Sequence, residues 1–220
     1  MRALFVTTSS NHLASGHPTG LWVEEFAVPY LAAIEAGIAV TVASPKGGVV
    51  PLDPASLPGE KDQAAWSSAL AALRTSVRLD AIQAEEFDAI FIPGGHGPMV
   101  DLAQDETLHA LVARHDAAGK LIAAVCHGPA ALVGAKRADG AAFFAGRKAT
   151  GFTNMEEKLA GLTDEVPFLL EDAMKSSGAI FSSAILPLLS HLEHDGNLLT
   201  GQNPRSSEAI AKALVKALQG

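Results

Sequence analysis

The sequence predicts a doubly wound α/β domain in which a mostly parallel sheet is sandwiched between helices. Two observations support this prediction: short apolar runs recur along the chain, and segments with helical spacing lie between them. A chain of 220 residues is long enough for one large domain with a complete core. We therefore expect residues 1–220 to form a single domain.

The strands are predicted from apolar runs that are brief and end at a polar residue, Gly or Pro. These runs are Ala3–Thr7, Ala39–Ala43, Ala89–Ile92 and Leu121–Val125. Such runs are typical of parallel strands that are covered on both faces. The first run soon reaches Ser9 and Ser10, so it lacks the long apolar core of a signal peptide and predicts a buried strand.

The helices are predicted from apolar residues that recur at helical spacing. The segments are Leu21–Ala36, Asp105–Ala118 and Arg205–Leu218. Pro204 stands at the start of the last segment, and Pro is favoured in the first turn of a helix. Before it, the pair Asp195-Gly196 predicts a hairpin turn.

Residues 45–80 interrupt the alternation of strands and helices. Pro51, Pro54 and Pro58 prolong a loop after the second predicted strand, and Ala64–Leu79 then has helical spacing. We expect residues 45–80 to form a small cap insertion over the edge of the sheet, not a second domain.

Composition excludes several classes of function. Hydrophobic residues make up 48% of the chain and charged residues 18%, which is an ordinary globular balance. The net charge of -8 disfavours binding to nucleic acid or to anionic membranes, and no apolar run reaches the roughly 20 residues that a bilayer requires. A single cysteine forms no internal disulfide, so we expect a cytoplasmic protein.

Cys126 is the residue most indicative of chemistry. It follows the predicted strand Leu121–Val125, and the small residues Ala124 and Gly128 flank it at minus two and plus two. This spacing is typical of a nucleophile elbow, which presents a side chain at the carboxyl end of a sheet. Because a helix is predicted to begin at this point, we expect its N–H groups to lower the pKa of a partly exposed thiol. The alternative is a buried, inert cysteine.

Two neighbouring features are candidate partners of Cys126. His127 is adjacent and could act as an acid or base, although a histidine at a helix start is often structural. Gly94 and Gly95 follow the third predicted strand, so their N–H groups could form an oxyanion hole with that of His127. The alternative for these glycines is a tight turn that needs positive φ.

Glu25 is predicted to point inward. It shares a helix face with Trp22 and Pro29, whereas Glu24 aligns with Glu35 in a solvent-facing stripe. A carboxyl group on an apolar face has a raised pKa, which suits a general acid or base. A dipole-stabilised carboxylate at a helix start explains Glu24 better than Glu25.

Two further groups contain residues that could belong to a site. Thr153 and Glu156 have the spacing of a capping box, which leaves Glu157 available to orient a histidine. His191 and His194 lie at a turn and are interpreted as a surface cluster, so the residues predict no metal site and no cofactor.

At Ala124-Val125-Cys126-His127-Gly128-Pro129 the sequence resembles the ThiJ/PfpI superfamily, whose flavodoxin-like fold is that of class I glutamine amidotransferases. Further motifs, in a specific order along the whole chain, are similar to those of the glutathione-independent glyoxalase III and heat-shock chaperone branch. They are Thr19-Gly20 with Glu25, Ser44-Pro45-Lys46-Gly47-Gly48, Pro93-Gly94-Gly95-His96-Gly97, Thr150-Gly151-Phe152-Thr153 and Thr200-Gly201-Gln202-Asn203-Pro204.

The resemblance implies a lyase that converts a small-molecule aldehyde such as methylglyoxal to a 2-hydroxy acid through a cysteine thiohemiacetal, with deglycase activity as a further expectation. It implies Cys126 as nucleophile paired with Glu25, His127 as base and Glu157 as the acid that orients it. Some chaperone-type members bind a metal through a histidine near the position of Trp22, which cannot do so. Family members are usually homodimers, so we expect a homodimer.

Other classes of function remain open at this point. One is a redox-sensing holdase chaperone, in which Cys126 is oxidised and nothing turns over. Another is a cysteine hydrolase of a peptide or isocyanide-type substrate. Glutamine amidotransferase activity is less favoured, because it requires a late His-x-Glu pair and the only one, His191-Leu192-Glu193, precedes a turn.

Overall fold

The structure, a computed structural model, describes the backbone of residues 1–220 and every side chain except that of Glu85. Its strands are β1 (Arg2–Val6), β2 (Ala39–Ser44), β3 (Val77–Arg78), β4 (Ala89–Ile92), β5 (Leu121–Val125), β6 (Lys148–Ala149), β7 (Ile180–Phe181), β8 (Leu192–Asp195) and β9 (Leu198–Gly201). Its α-helices are α1 (Val23–Glu35), α2 (Glu60–Ala65), α3 (Ser67–Ala72), α4 (Gly97–Val100), α5 (Glu106–Ala117), α6 (Ala130–Val133), α7 (Asn154–Ala160), α8 (Leu170–Ser176) and α9 (Ser207–Gln219).

The main sheet has seven strands in the order β3-β2-β1-β4-β5-β9-β8. All neighbouring pairs are parallel except β8 and β9, and β6 pairs with β7 in a separate two-stranded sheet. Helices flank the main sheet, with α1 packed against α9 and α5 against β5. This arrangement confirms the predicted fold class.

The central strands form the core, as their apolar runs predict. Every residue of β4, β5 and β9 is buried. On β1, the ring of Phe5 lies edge-on to Phe26 of α1 at 5.7 Å and tilted against Phe91 of β4 at 4.8 Å. Because β1, β4, β5 and β9 run in the same direction, their carboxyl ends meet at one edge, where open α/β sheets place ligands.

The predicted helix Ala64–Leu79 is wrong in its second half. The segment forms the short helices α2 and α3 and then an edge strand, β3. Ser76 exchanges two backbone hydrogen bonds with Gly48, and Val77 pairs with Ala43 of β2. Pairing with the sheet edge gives the backbone N–H and C=O groups of this segment hydrogen-bond partners, and the β-branched Val77 suits a strand. The interpretation of residues 45–80 as a cap insertion in a single domain stays a prediction.

The hairpin predicted from Asp195-Gly196 is present between β8 and β9. Asp195 faces Leu198 across the turn, and Gly196 has a φ of +59°. The strand β9 lies between β8 and β5, which brings Gly201 next to the end of β5. Among the residues that the structure describes, no helix has both the length and the apolar character needed to cross a bilayer.

Candidate active site

Cys126 occupies a strained turn between β5 and α6. Its φ is +60°, a left-handed value that costs a residue other than glycine about 1–3 kcal/mol. Its N–H donates to the carbonyl of Gly201 at 2.9 Å, and its own carbonyl accepts from the N–H of Phe152 at 2.9 Å. A Cβ on Gly128 would lie 2.2 Å from the carbonyl oxygen of Ile92, so the turn requires glycine there. The elbow geometry predicted from spacing is therefore present.

The thiol of Cys126 is buried, with 3% of the residue exposed, and it is not the partly exposed, acidic thiol that the sequence predicts. Burial, followed by the neighbouring Glu25, raises its pKa well above the usual value. The helix lowers the pKa of the thiol only a little, because residues 126–129 form turns and α6 spans only Ala130–Val133. The thiol at this elbow therefore needs a base to become a thiolate.

Glu25 points inward from the first turn of α1 and is fully buried. Its Oε2 accepts from the N–H of Gly94 at 2.8 Å, and its carboxyl group interacts with the sulfur of Cys126. Its Oε1 has no hydrogen-bond partner among the described residues. Burial raises the pKa of Glu25 to about 8, as predicted, so the carboxyl is protonated at neutral pH. Glu24 is half-buried near Arg205 instead of lying fully in solvent.

The two glycines after β4 have different surroundings. The N–H of Gly94 is occupied by Glu25, and a Cβ on Gly94 would lie 2.6 Å from Oε2 of Glu25 and 2.7 Å from the N of His127. Gly95 has a φ of +86°, and its N–H, together with that of His127, acts to lower the pKa of the Cys126 thiol against the effect of burial. Of the two predicted donors, Gly95 therefore retains an N–H for a developing negative charge, whereas Gly94 positions Glu25.

His127 lies between Cys126 and Glu157. Its Nδ1 is 3.4 Å from the sulfur of Cys126, and its Nε2 is 2.7 Å from Oε2 of Glu157. Burial, followed by the charge of His96, lowers the pKa of His127 to about 4 against the opposing effect of Glu157. The ring is therefore neutral at neutral pH and can accept a proton.

Glu157 determines which nitrogen of His127 carries the hydrogen. Burial alone would raise its pKa, but hydrogen bonds from His127 and His96 outweigh burial and lower the pKa to about 2. An ionised carboxylate only accepts hydrogen bonds, so both imidazoles donate from Nε2. The lone pair of His127 is then on Nδ1, the nitrogen that faces the thiol.

His96 was not predicted as a site residue, although it directly follows Gly95 in the loop after β4. Its Nε2 lies 2.8 Å from Oε1 of Glu157, and its ring centroid is 4.0 Å from that of His127. Phe152 also packs on His127, with a centroid distance of 4.4 Å, and lies edge-on to His96 at 6.4 Å. The signal that could have found His96 is its position at the carboxyl end of a central strand.

Glu156 has the structural role that its spacing predicts. It closes a capping box with Thr153 at the start of α7. Its Oε1 also accepts hydrogen bonds from the N–H of Leu188 at 2.8 Å, from Gln202 at 2.9 Å and from Asn203 at 2.7 Å. Glu156 therefore joins α7, which carries Glu157, to the segment around Leu188 and to the end of β9.

A cavity of about 510 Å³ opens over Cys126. Its floor includes Gly95, His96 and His127, and Trp22 and Asp53 are among its walls. The cavity thus brings the sulfur, a neutral imidazole and backbone N–H groups into contact with a bound molecule. Of the predicted site residues, Glu25, Gly94 and Glu157 do not line this cavity. The carboxyl group of Glu25 contacts the sulfur of Cys126, so a molecule bonded to that sulfur would lie next to Glu25.

Within the described part of the chain, the residues that could hold a metal ion are His96, His127 and Glu157, whose ligand atoms lie within 4.8 Å of one another. In the structure these atoms are joined by hydrogen bonds of 2.7 and 2.8 Å, so each carboxylate oxygen already has one imidazole donor. We interpret the cluster as a device that orients His127.

The late pair His191 and Glu193 does not serve Cys126. The Nε2 of His191 is 2.7 Å from the hydroxyl of Ser182, and Glu193 accepts from the same hydroxyl. Neither residue is among those that line the cavity over Cys126. This placement argues against a glutamine amidotransferase triad.

Comparison with known proteins identifies relatives over almost the whole chain. The model of the DJ-1/PfpI family matches residues 20–217. The glutathione-independent glyoxalase hsp3101 of Schizosaccharomyces pombe is 30% identical, with 93% of this chain and 89% of that protein aligned. Glyoxalase 3 of Candida albicans is 26% identical, with 100% of this chain and 99% of that protein aligned.

Solved structures of similar proteins also superimpose on almost the whole chain. The Rapid Encystment Protein 24 KDa of Francisella tularensis is 37% identical and superimposes with a TM-score of 0.92 over 99% of this chain and 98% of that chain. Glyoxalase III of Candida albicans superimposes with a TM-score of 0.89 over 99% of this chain and 97% of that chain. At 23% identity, this second match supports the fold alone.

Proposed function

This chain belongs to the DJ-1/PfpI family, and from that membership and its site we propose that it is a glutathione-independent glyoxalase. The reaction adds water to a 2-oxoaldehyde and yields a 2-hydroxy acid. The observation that carries the proposal is the thiol of Cys126, which lies between the acceptor nitrogen of neutral His127 and the protonated carboxyl of Glu25.

The first step is addition of the thiol to the aldehyde. The Nδ1 of His127 accepts the proton of Cys126, and the sulfur forms a bond to the aldehyde carbon, C1. The N–H groups of Gly95 and His127 stabilise the negative charge on the sulfur as it forms. The proton returns from His127 to the former aldehyde oxygen, which gives a thiohemiacetal and restores the neutral imidazole.

The second step moves a hydrogen from C1 to C2. His127 removes the proton from C1 while Glu25 donates its proton to the ketone oxygen on C2, and an enediol forms. His127 then protonates C2, and Glu25 recovers a proton from the hydroxyl on C1. The product is a 2-hydroxy thioester of Cys126, and both side chains end in their starting states.

The last step is hydrolysis. Water adds to the thioester carbon, the carbon–sulfur bond breaks, and the 2-hydroxy acid leaves with the thiol of Cys126 restored. Throughout the cycle Glu157 and His96 act as positioning residues, because they hold the hydrogen on Nε2 of His127 and leave Nδ1 for the proton transfers.

The test is formation of lactate from methylglyoxal without glutathione. Wild-type protein is expected to make lactate, and Cys126→Ala is expected to lose at least 10³-fold in kcat/KM because it has no nucleophile. A covalent adduct of the mass of methylglyoxal should be trapped on the wild-type protein only. If Cys126→Ala makes lactate at the wild-type rate, the mechanism is wrong.

Two further expectations belong to this proposal. The mechanism needs Cys126 reduced, which suits a cytoplasmic location. The family resemblance implies a homodimer acting on a small aldehyde, and sedimentation equilibrium at micromolar concentration would exclude the dimer if it returned the mass of one chain.

A further inference from the structure

The mouth of the cavity over Cys126 is apolar although it faces solvent. Its side chains include Trp22, Leu159, Leu162, Leu188 and Pro204. Leu159 is 60% exposed and Leu188 is 46% exposed. Exposed apolar side chains grouped around a cavity are typical of a surface that a ligand covers.

Leu188 is held at this mouth by a strained backbone. Its φ is +63°, a value that a leucine rarely adopts. The strain is maintained because its N–H donates to Oε1 of the buried Glu156 at 2.8 Å, and Glu156 is fixed in turn by Gln202 and Asn203. Strain of this kind persists where the surrounding structure over-determines it, and it clusters at ligand sites.

The charged groups of the cavity disfavour an anion. None of the described residues that line it is Lys or Arg, whereas Asp53 and Glu156 are carboxylates. Asp53 accepts hydrogen bonds from Thr19 and from the N–H of Ala55, each at 2.9 Å. An anionic substituent would therefore be desolvated with no Lys or Arg partner.

Methylglyoxal leaves most of the cavity unfilled. It has five non-hydrogen atoms, and at about 30 Å³ for each, which is the share of one water molecule in the liquid, it fills roughly a third of the space. The remaining volume lies next to the apolar mouth.

We propose that the site selects neutral 2-oxoaldehydes with an apolar substituent larger than methyl, and that Leu188 and Leu159 determine this selection. The proposal rests on the proposed glyoxalase function and specifies its substrate class. Each additional methylene that is buried against the mouth contributes about fourfold to kcat/KM.

The experiment measures kcat/KM for methylglyoxal, 2-oxobutanal and 2-oxopentanal without glutathione. 2-Oxopentanal has two more methylenes than methylglyoxal, so wild-type protein is expected to prefer it by about fifteenfold. A preference below twofold would overturn the proposal. 4,5-Dioxopentanoate has the same chain length but ends in a carboxylate, and its kcat/KM is expected to be at least tenfold lower than that of 2-oxopentanal. Equal kcat/KM for the two compounds would also contradict the proposal.

A matched pair of variants assigns the preference to the mouth. Leu188→Asn keeps the backbone N–H and tolerates the left-handed conformation, but it removes the apolar contact. It should lower the ratio of kcat/KM for 2-oxopentanal to kcat/KM for methylglyoxal at least fivefold, and Leu159→Asn should lower this ratio too. The control is Leu186→Asn, because Leu186 is 61% exposed on the same segment and is not among the cavity residues.

The outcomes separate this inference from the proposed function. If wild-type protein converts none of the 2-oxoaldehydes, the glyoxalase proposal fails. If it converts methylglyoxal but the ratio is the same in wild type, Leu188→Asn and Leu186→Asn, only the inference about the mouth fails.

Discussion

Replacing Glu25 with Gln is expected to stabilise the folded protein at alkaline pH while it removes activity. The unfolded chain releases the Glu25 proton near its ordinary pKa of 4.5, whereas the folded protein retains it until about pH 8. The folded state thus binds the proton more tightly, so this group's contribution to stability is complete below pH 4.5 and is lost as pH rises to about 8.

The magnitude follows from the pKa. Each pKa unit corresponds to about 1.4 kcal/mol, so the full cost at and above pH 8 is about 5 kcal/mol. Gln is neutral at every pH, and its carbonyl can accept from Gly94. Its amide nitrogen takes the position of Oε1, which has no partner among the described residues in the wild-type protein either. The variant therefore avoids the loss that the wild-type protein undergoes.

The assay is urea unfolding of wild type, Glu25→Gln and Glu24→Gln at pH 5 and pH 8. Between these pH values the free energy of unfolding of Glu25→Gln should gain on that of wild type by about 4 kcal/mol, whereas Glu24→Gln should gain much less because its side chain is half-exposed. Groups common to all three proteins cancel in the differences. The reasoning is refuted if the gap between Glu25→Gln and wild type is the same at both pH values.

The same variants test the catalytic role of Glu25. Since Glu25 donates and recovers a proton, Glu25→Gln should lower kcat about 10²–10⁴-fold, while Glu24→Gln should stay within about twofold of wild type. Wild-type kcat/KM should fall above about pH 8, where Glu25 loses its proton. Equal effects of the two substitutions would contradict the assignment.

Two further predictions concern the neighbours of Glu25. Glu157→Gln should lower kcat about 10²-fold or more, because its amide can direct a donor at Nε2 of His127 and move the ring hydrogen to Nδ1. The ¹⁵N chemical shifts of His127 would report which tautomer is present. An unchanged tautomer with unchanged kcat would contradict the positioning role of Glu157. Peroxide should oxidise Cys126 slowly, because the thiol is buried and its pKa is raised, and turnover should fall in proportion to the oxygens that mass spectrometry finds on it. Suppression of aggregation by the oxidised sample, measured by light scattering, would favour the redox-sensing holdase, and resistance of Cys126 to both peroxide and alkylating agents would exclude enzyme and sensor alike.

The parts of the site that depend on spacing were predictable from the sequence. The elbow at Cys126 follows from small residues at fixed offsets, and the inward direction of Glu25 follows from its helix face. The capping box at Thr153 and Glu156 left Glu157 as the residue next to the histidines. Each of these inferences uses contacts within a few residues along the chain, or a strand and the turn that follows it.

The parts that depend on tertiary surroundings were not predictable. The pKa of Cys126 was expected to fall, but the cost of burial depends on what covers the sulfur, and the covering segments are distant in sequence. His96 shares Glu157 with His127 only because β4 and β5 are neighbours in the sheet. Likewise, helical spacing in Ala64–Leu79 gave way to β3 because a sheet edge was available for pairing.

The hydrogen bonds on either side of Cys126 also bear on how the protein is made. The turn is fixed by Phe152 and by Gly201, which lie 26 and 75 positions further along the chain. This turn therefore cannot close until the chain has been synthesised through Gly201, since contacts that span long stretches of chain form late. Until then the lone thiol of the growing chain lacks its locked geometry and its ordered imidazole, so catalytic competence arrives together with the finished sheet.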